Sequence, residues 1–262
     1  MLINNMQGEK DLCIKQIVVY RDGKIGQWGR SILANASNHV DSVAKNLRPH
    51  WPNFPSLQTT IYKGEFMSKV ELLSPAGDME CLISAVQNGA NAVYFGAQEF
   101  NARANSKNFG KEELAKAIKY AKLRNVKTHL TLNILIKNNE FEDALKLVEY
   151  AYNCGIDSII VQDLGLAKKI IELFPGLEVH ASTQMTIYSL DGVKKIEELG
   201  FNRCVLAREL SIPEIEYICK NTNIDIEVFI HGALCICYSG QCLMSSMIGG
   251  RSGNRGKCAR NM

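Results

Sequence analysis

No stretch of this 262-residue chain holds the run of about 18 apolar residues that a membrane-spanning helix needs. The first residues, MLINNMQGEKDLC, lack the apolar core of a secretory leader, so a cytoplasmic protein is expected. No Gly-x-Gly-x-x-Gly follows the first expected strand, which counts against a dinucleotide fold. There is no H-E-x-x-H zinc helix and no G-x-S-x-G nucleophile elbow, so the common hydrolase signatures are missing. Acidic side chains are absent from Val228 to Met262, while Arg251, Arg255, Lys257 and Arg260 all fall there. A local basic patch, suited to phosphate, is expected at that end. Over the whole chain the formal charge is only +3, so gross charge does not argue for nucleic acid.

What the chain does have is cysteine, nine in all. A disulfide framework suits exported proteins, so it is a poor explanation here. Cys13, Cys81, Cys154, Cys204 and Cys219 are dispersed and read as small core residues. Cys235, Cys237, Cys242 and Cys258 cluster within 24 residues, which favours ligation of a metal or cluster.

Residues 1–66 differ from the rest. IKQIVVYRDGKIGQW reads as a hairpin turning at Asp22-Gly23, and RPHWPNFP reads as a linker by its prolines. The sequence restarts at Met67, so 1–66 is expected to be an extension of no assigned role. Residues 67–232 form the expected core, and 233–262 a Cys-rich segment.

From Val70 one unit recurs: a short β-branched run, a loop, an amphipathic helix, a turn residue. The runs are 70–75, 91–96, 127–133, 157–163, 177–182, 203–207 and 226–232. Between them, 111–124 places Leu114, Ala117, Ile118 and Ala121 on one helical face, and 141–155 does the same with Leu145, Val148 and Tyr152. Gly89, Gly155 and Gly200 each stand just before an Asn or Asp and then a strand, where glycine suits the left-handed end of a helix. Asn125 takes the equivalent place. Strand–helix alternation with short connections implies parallel strands and right-handed crossovers. Seven strands predict an incomplete TIM-type (β/α) barrel, with an exposed sheet edge prone to pairing.

In such a barrel, function gathers where strands end. The candidates there, all polar but Gly96, include Asp78, Gly96, Asn101, Arg103, Asn108, Asn133, Gln162, Asp163, His180, Gln184, Arg208, Glu209 and His231. Each has a plain reading as well. Asp78 reads as a helix cap, Arg208 and Glu209 as an ion pair, His180 and His231 as satisfied core histidines. Buried polar groups are costly, so so many at strand ends argue for a site.

The run from Glu227 to Ser245, EVFIHGALCICYSGQCLMS, resembles the signature of the peptidase U32 family: a Glu, a Phe, a Gly, two Cys around Ser-Gly, then a Ser. GRSGNRGKC (250–258), LLSPAGD (72–78), AVYFG (92–96), FNARA (100–104), HASTQ (180–184) and LAREL (206–210) also match, so the resemblance covers 69–260. The family is named for collagenase-like peptidases. Several branches are implicated in oxygen-independent or prephenate-dependent hydroxylation: of a 23S ribosomal RNA cytidine, of the tRNA wobble uridine, and in ubiquinone synthesis. HGALC-x-x-YSGQC and GRS-x-NRG most resemble the ribosomal RNA branch.

The resemblance implies a [4Fe–4S] cluster with Cys235, Cys242 and Cys258 at three ligand positions, since thiolates are the usual cluster ligands. Cys237 is not a usual family ligand. The family's fourth Cys lies further downstream, so the chain is expected to be truncated, and an inactive fragment is one reading. Zinc is the alternative, although tetrahedral zinc commonly uses closer Cys pairs than 235, 242 and 258 provide.

Two activities follow as expectations. In RNA base hydroxylation, Arg103, His180, Arg208, Glu209 and His231 would line the pocket, with prephenate as a cosubstrate held by the basic side chains. Arg251, Arg255 and Lys257 would contact phosphate. In a peptidase, Cys235 or Cys242 with His231 would form a thiol nucleophile and its base.

Overall fold

The computed structural model describes residues 17–20 (backbone), 71–102, 107–230, 235 and 237–258. Its strands are β1 (Ile17–Tyr20), β2 (Glu71–Pro75), β3 (Ala92–Gly96), β4 (Lys127–Leu132), β5 (Ser158–Val161), β6 (Glu178–Ala181), β7 (Arg203–Val205) and β8 (Asp225–Phe229). Its helices are α1 (Met79–Gln87), α2 (Lys111–Lys122), α3 (Phe141–Cys154), α4 (Leu164–Leu173), α5 (Leu190–Glu198), α6 (Ile212–Lys220) and α7 (Met244–Gly249). All seven expected strands form. Strands β2 to β8 are parallel and adjacent in sequence order, which makes an incomplete TIM-type barrel.

The expected open edge is corrected. Strand β1 runs antiparallel between the first and last parallel strands, with Ile17 opposite both Leu73 and Phe229. The sheet therefore closes, and closure leaves no unpaired ladder to template aggregation. This strand comes from the first 66 residues. The hairpin turn expected at Asp22-Gly23 lies outside the described residues.

Strand alternation sorts the sheet into two surfaces. Leu130 and Leu132, Ile159 and Val161, Val179 and Ala181, Ile226 and Val228 join the large apolar core beneath the helices. Helix α2 buries Leu114, Ala117, Ile118 and Ala121 completely against it. Each such Leu or Ile removed from water is worth about 1.5–3 kcal/mol. The alternate residues, His129, Ser158, His180, Arg203 and Glu227, are also buried but face the barrel interior.

The repeated Gly-x-Asn/Asp signature has a structural cause. Gly89, Gly155 and Gly200 take φ of +89°, +86° and +89°, where a Cβ is penalised. Two residues on, a side chain reaches back to the preceding strand. Asn91 Oδ1 accepts from the Leu72 N–H at 2.9 Å, Asp157 Oδ2 from the Thr128 N–H at 2.8 Å, and Asn202 Oδ1 from the Val179 N–H at 2.9 Å. Alternate strand pairs are thus stapled at the N-terminal rim.

Candidate functional site

Helix ends and strand ends shape the opposite rim. Asp78 caps α1, its Oδ1 accepting from the Cys81 N–H at 2.9 Å, and pairs with Lys107 at 3.0 Å. The plain cap reading fits it. Asp163 caps α4 through the Leu166 N–H at 2.9 Å and also accepts from the Ile136 N–H at 3.3 Å. Asn133 fixes the loop after β3 by accepting from the Ala102 N–H at 2.9 Å. Asn101 and Asn108 are buried against Gly96, whose missing Cβ would lie 2.8 Å from the Asn101 side chain. Gly96 is therefore required for close packing rather than for its own chemistry. Arg103 and His231, both expected to line a pocket, lie outside the described residues.

His180 sits within the barrel and not at its rim, fully buried. Its Nδ1 is 3.3 Å from Ser158 Oγ, its Nε2 3.2 Å from Glu178 Oε2, and its ring meets the His129 ring edge-on at 5.0 Å. Such an imidazole has the burial and partners of a satisfied core residue. Burial, then the neighbouring His180 and Arg203, hold His129 well below the usual imidazole range, so it is neutral.

The sequence reading missed the charge cluster beside them. Arg203 is fully buried and meets Glu71 at 2.8 Å, Asp225 at 3.3 Å and Glu227 at 3.5 Å. Burial pushes the Glu227 carboxyl up to about 7, against the pull of Arg203. Burial also raises Glu71, but Arg203 outweighs it and the net shift is downward. An Arg opening a strand reads as solvent-facing; only the inward alternation of three separate strands, β2, β7 and β8, could have hinted otherwise.

Arg208 and Glu209 do not pair with each other among the described residues. Both grip Ser239, which the sequence reading also passed over. The Arg208 N–H and Nε donate to Ser239 Oγ at 3.3 and 3.1 Å, and the Ser239 N–H donates to Glu209 Oε1 at 2.6 Å. Thr186 Oγ1 donates to the Ser239 carbonyl at 2.6 Å, and Gln241 Nε2 donates to Thr186 Oγ1 at 2.9 Å. Gly240 completes the dock: a Cβ there would lie 2.2 Å from the Gln184 carbonyl oxygen. The Cys-rich segment is thus fastened to the loops after β6 and β7.

Its far end crosses the mouth. Arg255 Nη1 donates to the Leu135 carbonyl at 2.8 Å, and Nη2 meets Glu140 at 2.7 Å. Both partners lie in the loop between β4 and α3. Arg255 differs in this from the expectation of a phosphate contact, because its guanidinium is spent on holding the segment down. Arg251 and Lys257 stay exposed.

Four thiols ride on this strap, and none is in a disulfide. The Cys237 N–H, and then Arg208, hold the Cys235 thiol below its usual range. Cys237 contacts both Cys242 and Cys235, and these contacts with burial push its thiol up to about 11. Cys258 lies 4.0 Å from Ser245 Oγ. Among the described residues no three His, Cys, Asp or Glu side chains are grouped to hold a single metal ion. The all-sulfur donor set is of the kind that iron–sulfur clusters use. Of the dispersed cysteines, Cys204 and Cys219 are buried, Cys81 and Cys154 half-buried, and Cys13 lies outside the described residues.

The chain matches known proteins over most of its length. The family description "Peptidase family U32" matches residues 77–262. The 23S rRNA 5-hydroxycytidine C2501 synthase of Escherichia coli is 43% identical over 193 residues, covering 73% of this chain and 29% of that protein. The tRNA hydroxylation protein P1 of Bacillus subtilis is 38% identical over 205 residues, covering 78% of this chain and 49% of that protein. This chain thus spans less than half of either relative. A solved U32 peptidase structure shares the fold with a TM-score of 0.52 at 14% identity, covering 64% of this chain and 71% of that one.

Proposed function

Because the chain belongs to Peptidase family U32, we propose that it provides the barrel and thiol strap of an RNA base hydroxylase acting on a 23S ribosomal RNA cytidine or a tRNA wobble uridine. One observation carries the reading. A strap free of acidic residues is pinned across the barrel mouth, with thiols and exposed cations on the same short segment. Arg251 and Lys257 point the strap's charge at phosphate, while Arg255, Arg208 and Glu209 fix its position. The relatives' names agree with an RNA substrate.

Cys235, Cys242 and Cys258 would hold a [4Fe–4S] cluster, which supplies one-electron redox chemistry when bound. The strap's own residues orient the thiols: Arg208 favours the thiolate of Cys235, and the Ser239 contacts keep the loop in register. The sealed interior of His129, His180 and Arg203 gives the mouth a rigid base. Tetrahedral zinc commonly uses Cys pairs closer in sequence than 235, 242 and 258, which favours the cluster. A dicarboxylate cosubstrate such as prephenate would find Arg208 as a cation at the mouth.

The test is nucleoside mass spectrometry of ribosomal RNA and tRNA from a deletion strain, with complementation by this gene. Loss of one hydroxylated nucleoside is expected, and an unchanged profile overturns the proposal. Anaerobic purification should yield iron and sulfide in equal amounts. The peptidase alternative rests on the family description and predicts gelatin cleavage that thiol reagents stop.

A further inference from the structure

Two carboxamide oxygens at the barrel mouth lack a hydrogen-bond donor. Gln162 follows β5, and alternation aims it inward, in line with Ser158 and Ile160 on the same strand. It is 9% exposed. Its Nε2 donates to the Gln184 main-chain oxygen at 3.2 Å, which ties the two residues together at the ends of β5 and β6. Gln162 Oε1 and Gln184 Oε1 are both buried and unpartnered. Two such acceptors on residues joined by a hydrogen bond are rare in native proteins, where buried polar groups are paired.

Their surroundings describe a ligand. Along β5, Ile160 lies one inward step below Gln162 and joins Leu73, Ala92 and Tyr94 in a small apolar cluster, with the half-buried Phe229 packed against it. This gives a buried, partly aromatic floor inside the barrel. Above, Gly240 of the strap rests on Gln184. The acceptors are neutral amides, so they suit a neutral N–H donor; a carboxylate or phosphate would face oxygen with oxygen. A planar ring carrying an amino group fits both halves of the description. Cytosine presents two N–H bonds from its amino group, whereas uracil presents a carbonyl oxygen at that position.

We propose that Gln162 and Gln184 accept hydrogen bonds from the exocyclic amino group of a base seated at the barrel mouth, so that the site takes cytosine in preference to uracil. This rests on the RNA hydroxylation reading and narrows it to one substrate class. A base drawn out of its stack is commonly read this way, on its pairing edge and between apolar side chains.

The experiment titrates the full chain with cytidine monophosphate, uridine monophosphate and the cytidine analogue in which the 4-amino group is replaced by hydrogen. Cytidine monophosphate should bind about tenfold or more tightly than the other two, the size of one or two neutral hydrogen bonds. Gln162→Met and Gln184→Met, which keep the side-chain length, should each bring cytidine monophosphate down toward the uridine value and leave uridine monophosphate unchanged. Equal binding of all three nucleotides by the wild-type chain overturns the proposal without any variant. So does a preference that survives both substitutions, or no nucleotide binding at all. RNA nucleoside analysis is read separately. A cytosine preference with an unchanged RNA profile keeps this site and removes the hydroxylation reading. A missing hydroxylated nucleoside without a cytosine preference does the reverse.

Discussion

The main-chain N–H of Ser239 donates to Glu209 Oε1 at 2.6 Å, joining the Cys-rich strap to the loop after β7. Ser239 is 1% exposed, so water cannot replace that acceptor cheaply. This carboxylate and Arg208 hold one end of the strap over the mouth together with Thr186, while Arg255 holds the other.

Glu209→Ala should therefore loosen the strap without unfolding the barrel. The cost is about 1–3 kcal/mol, the range for leaving a buried donor unsatisfied. The measurement is the alkylation rate of Cys235, Cys237 and Cys242 by peptide mass spectrometry. Rates should rise severalfold while the helical circular dichroism signal holds. Unchanged rates would show that the strap is held by other contacts.

Gly240→Ala should be worse than its size suggests. The new methyl would meet the Gln184 carbonyl at 2.2 Å, and Gly240 has φ of +72°, a conformation that alanine resists. The neighbour is backbone and cannot swing aside. Limited proteolysis should cut this variant near the strap much faster than wild type. A Gly253→Ala control, where the nearest contact is 3.8 Å, should behave like wild type.

The buried carboxyl of Glu227 predicts a pH dependence of stability. Burial lifts its folded pKa to about 7, above the unfolded value of about 4.3. Between those values the folded chain holds a proton that the unfolded chain has released. The group's favourable contribution is complete below the unfolded value and is lost as pH rises through about 7. Chemical denaturation from pH 5 to 8 should show stability falling with pH from this group. Glu227→Gln should flatten that slope, and an unchanged slope would remove Glu227 as its source.

Arg203→Met should destabilise strongly, by about 3–5 kcal/mol, because it strands buried carboxylates without their cation. Pairing it with Glu227→Gln should recover part of the loss. Simple addition of the two effects in a denaturation series would mean that the residues do not interact.

Arg251→Ala and Lys257→Ala should each weaken binding to an RNA oligonucleotide and lower the salt slope by about one unit. Arg255→Ala should instead raise thiol alkylation, because its guanidinium holds Glu140 and the Leu135 carbonyl. Filter binding at several salt concentrations separates the two behaviours.

The alternation of strand and helix, the seven strand positions and the left-handed glycines were legible in the chain alone, because each is a local matter of backbone and period. The Gly-x-Asn/Asp signature was also visible, although its purpose was not, since the Leu72, Thr128 and Val179 amides it serves lie 19 to 29 residues away. The Cys-rich segment announced itself by composition. What only the tertiary structure decided was the company each side chain keeps. Closure by β1 removed the expected sheet edge. It also brought Arg203 to Glu71 across 132 residues of sequence, where local reading sees two ordinary surface charges. His180 became a core residue, Arg255 a tether and Ser239 an anchor for the same reason: hydrogen-bond partners are fixed by distance in space, and a sequence records distance only along the chain.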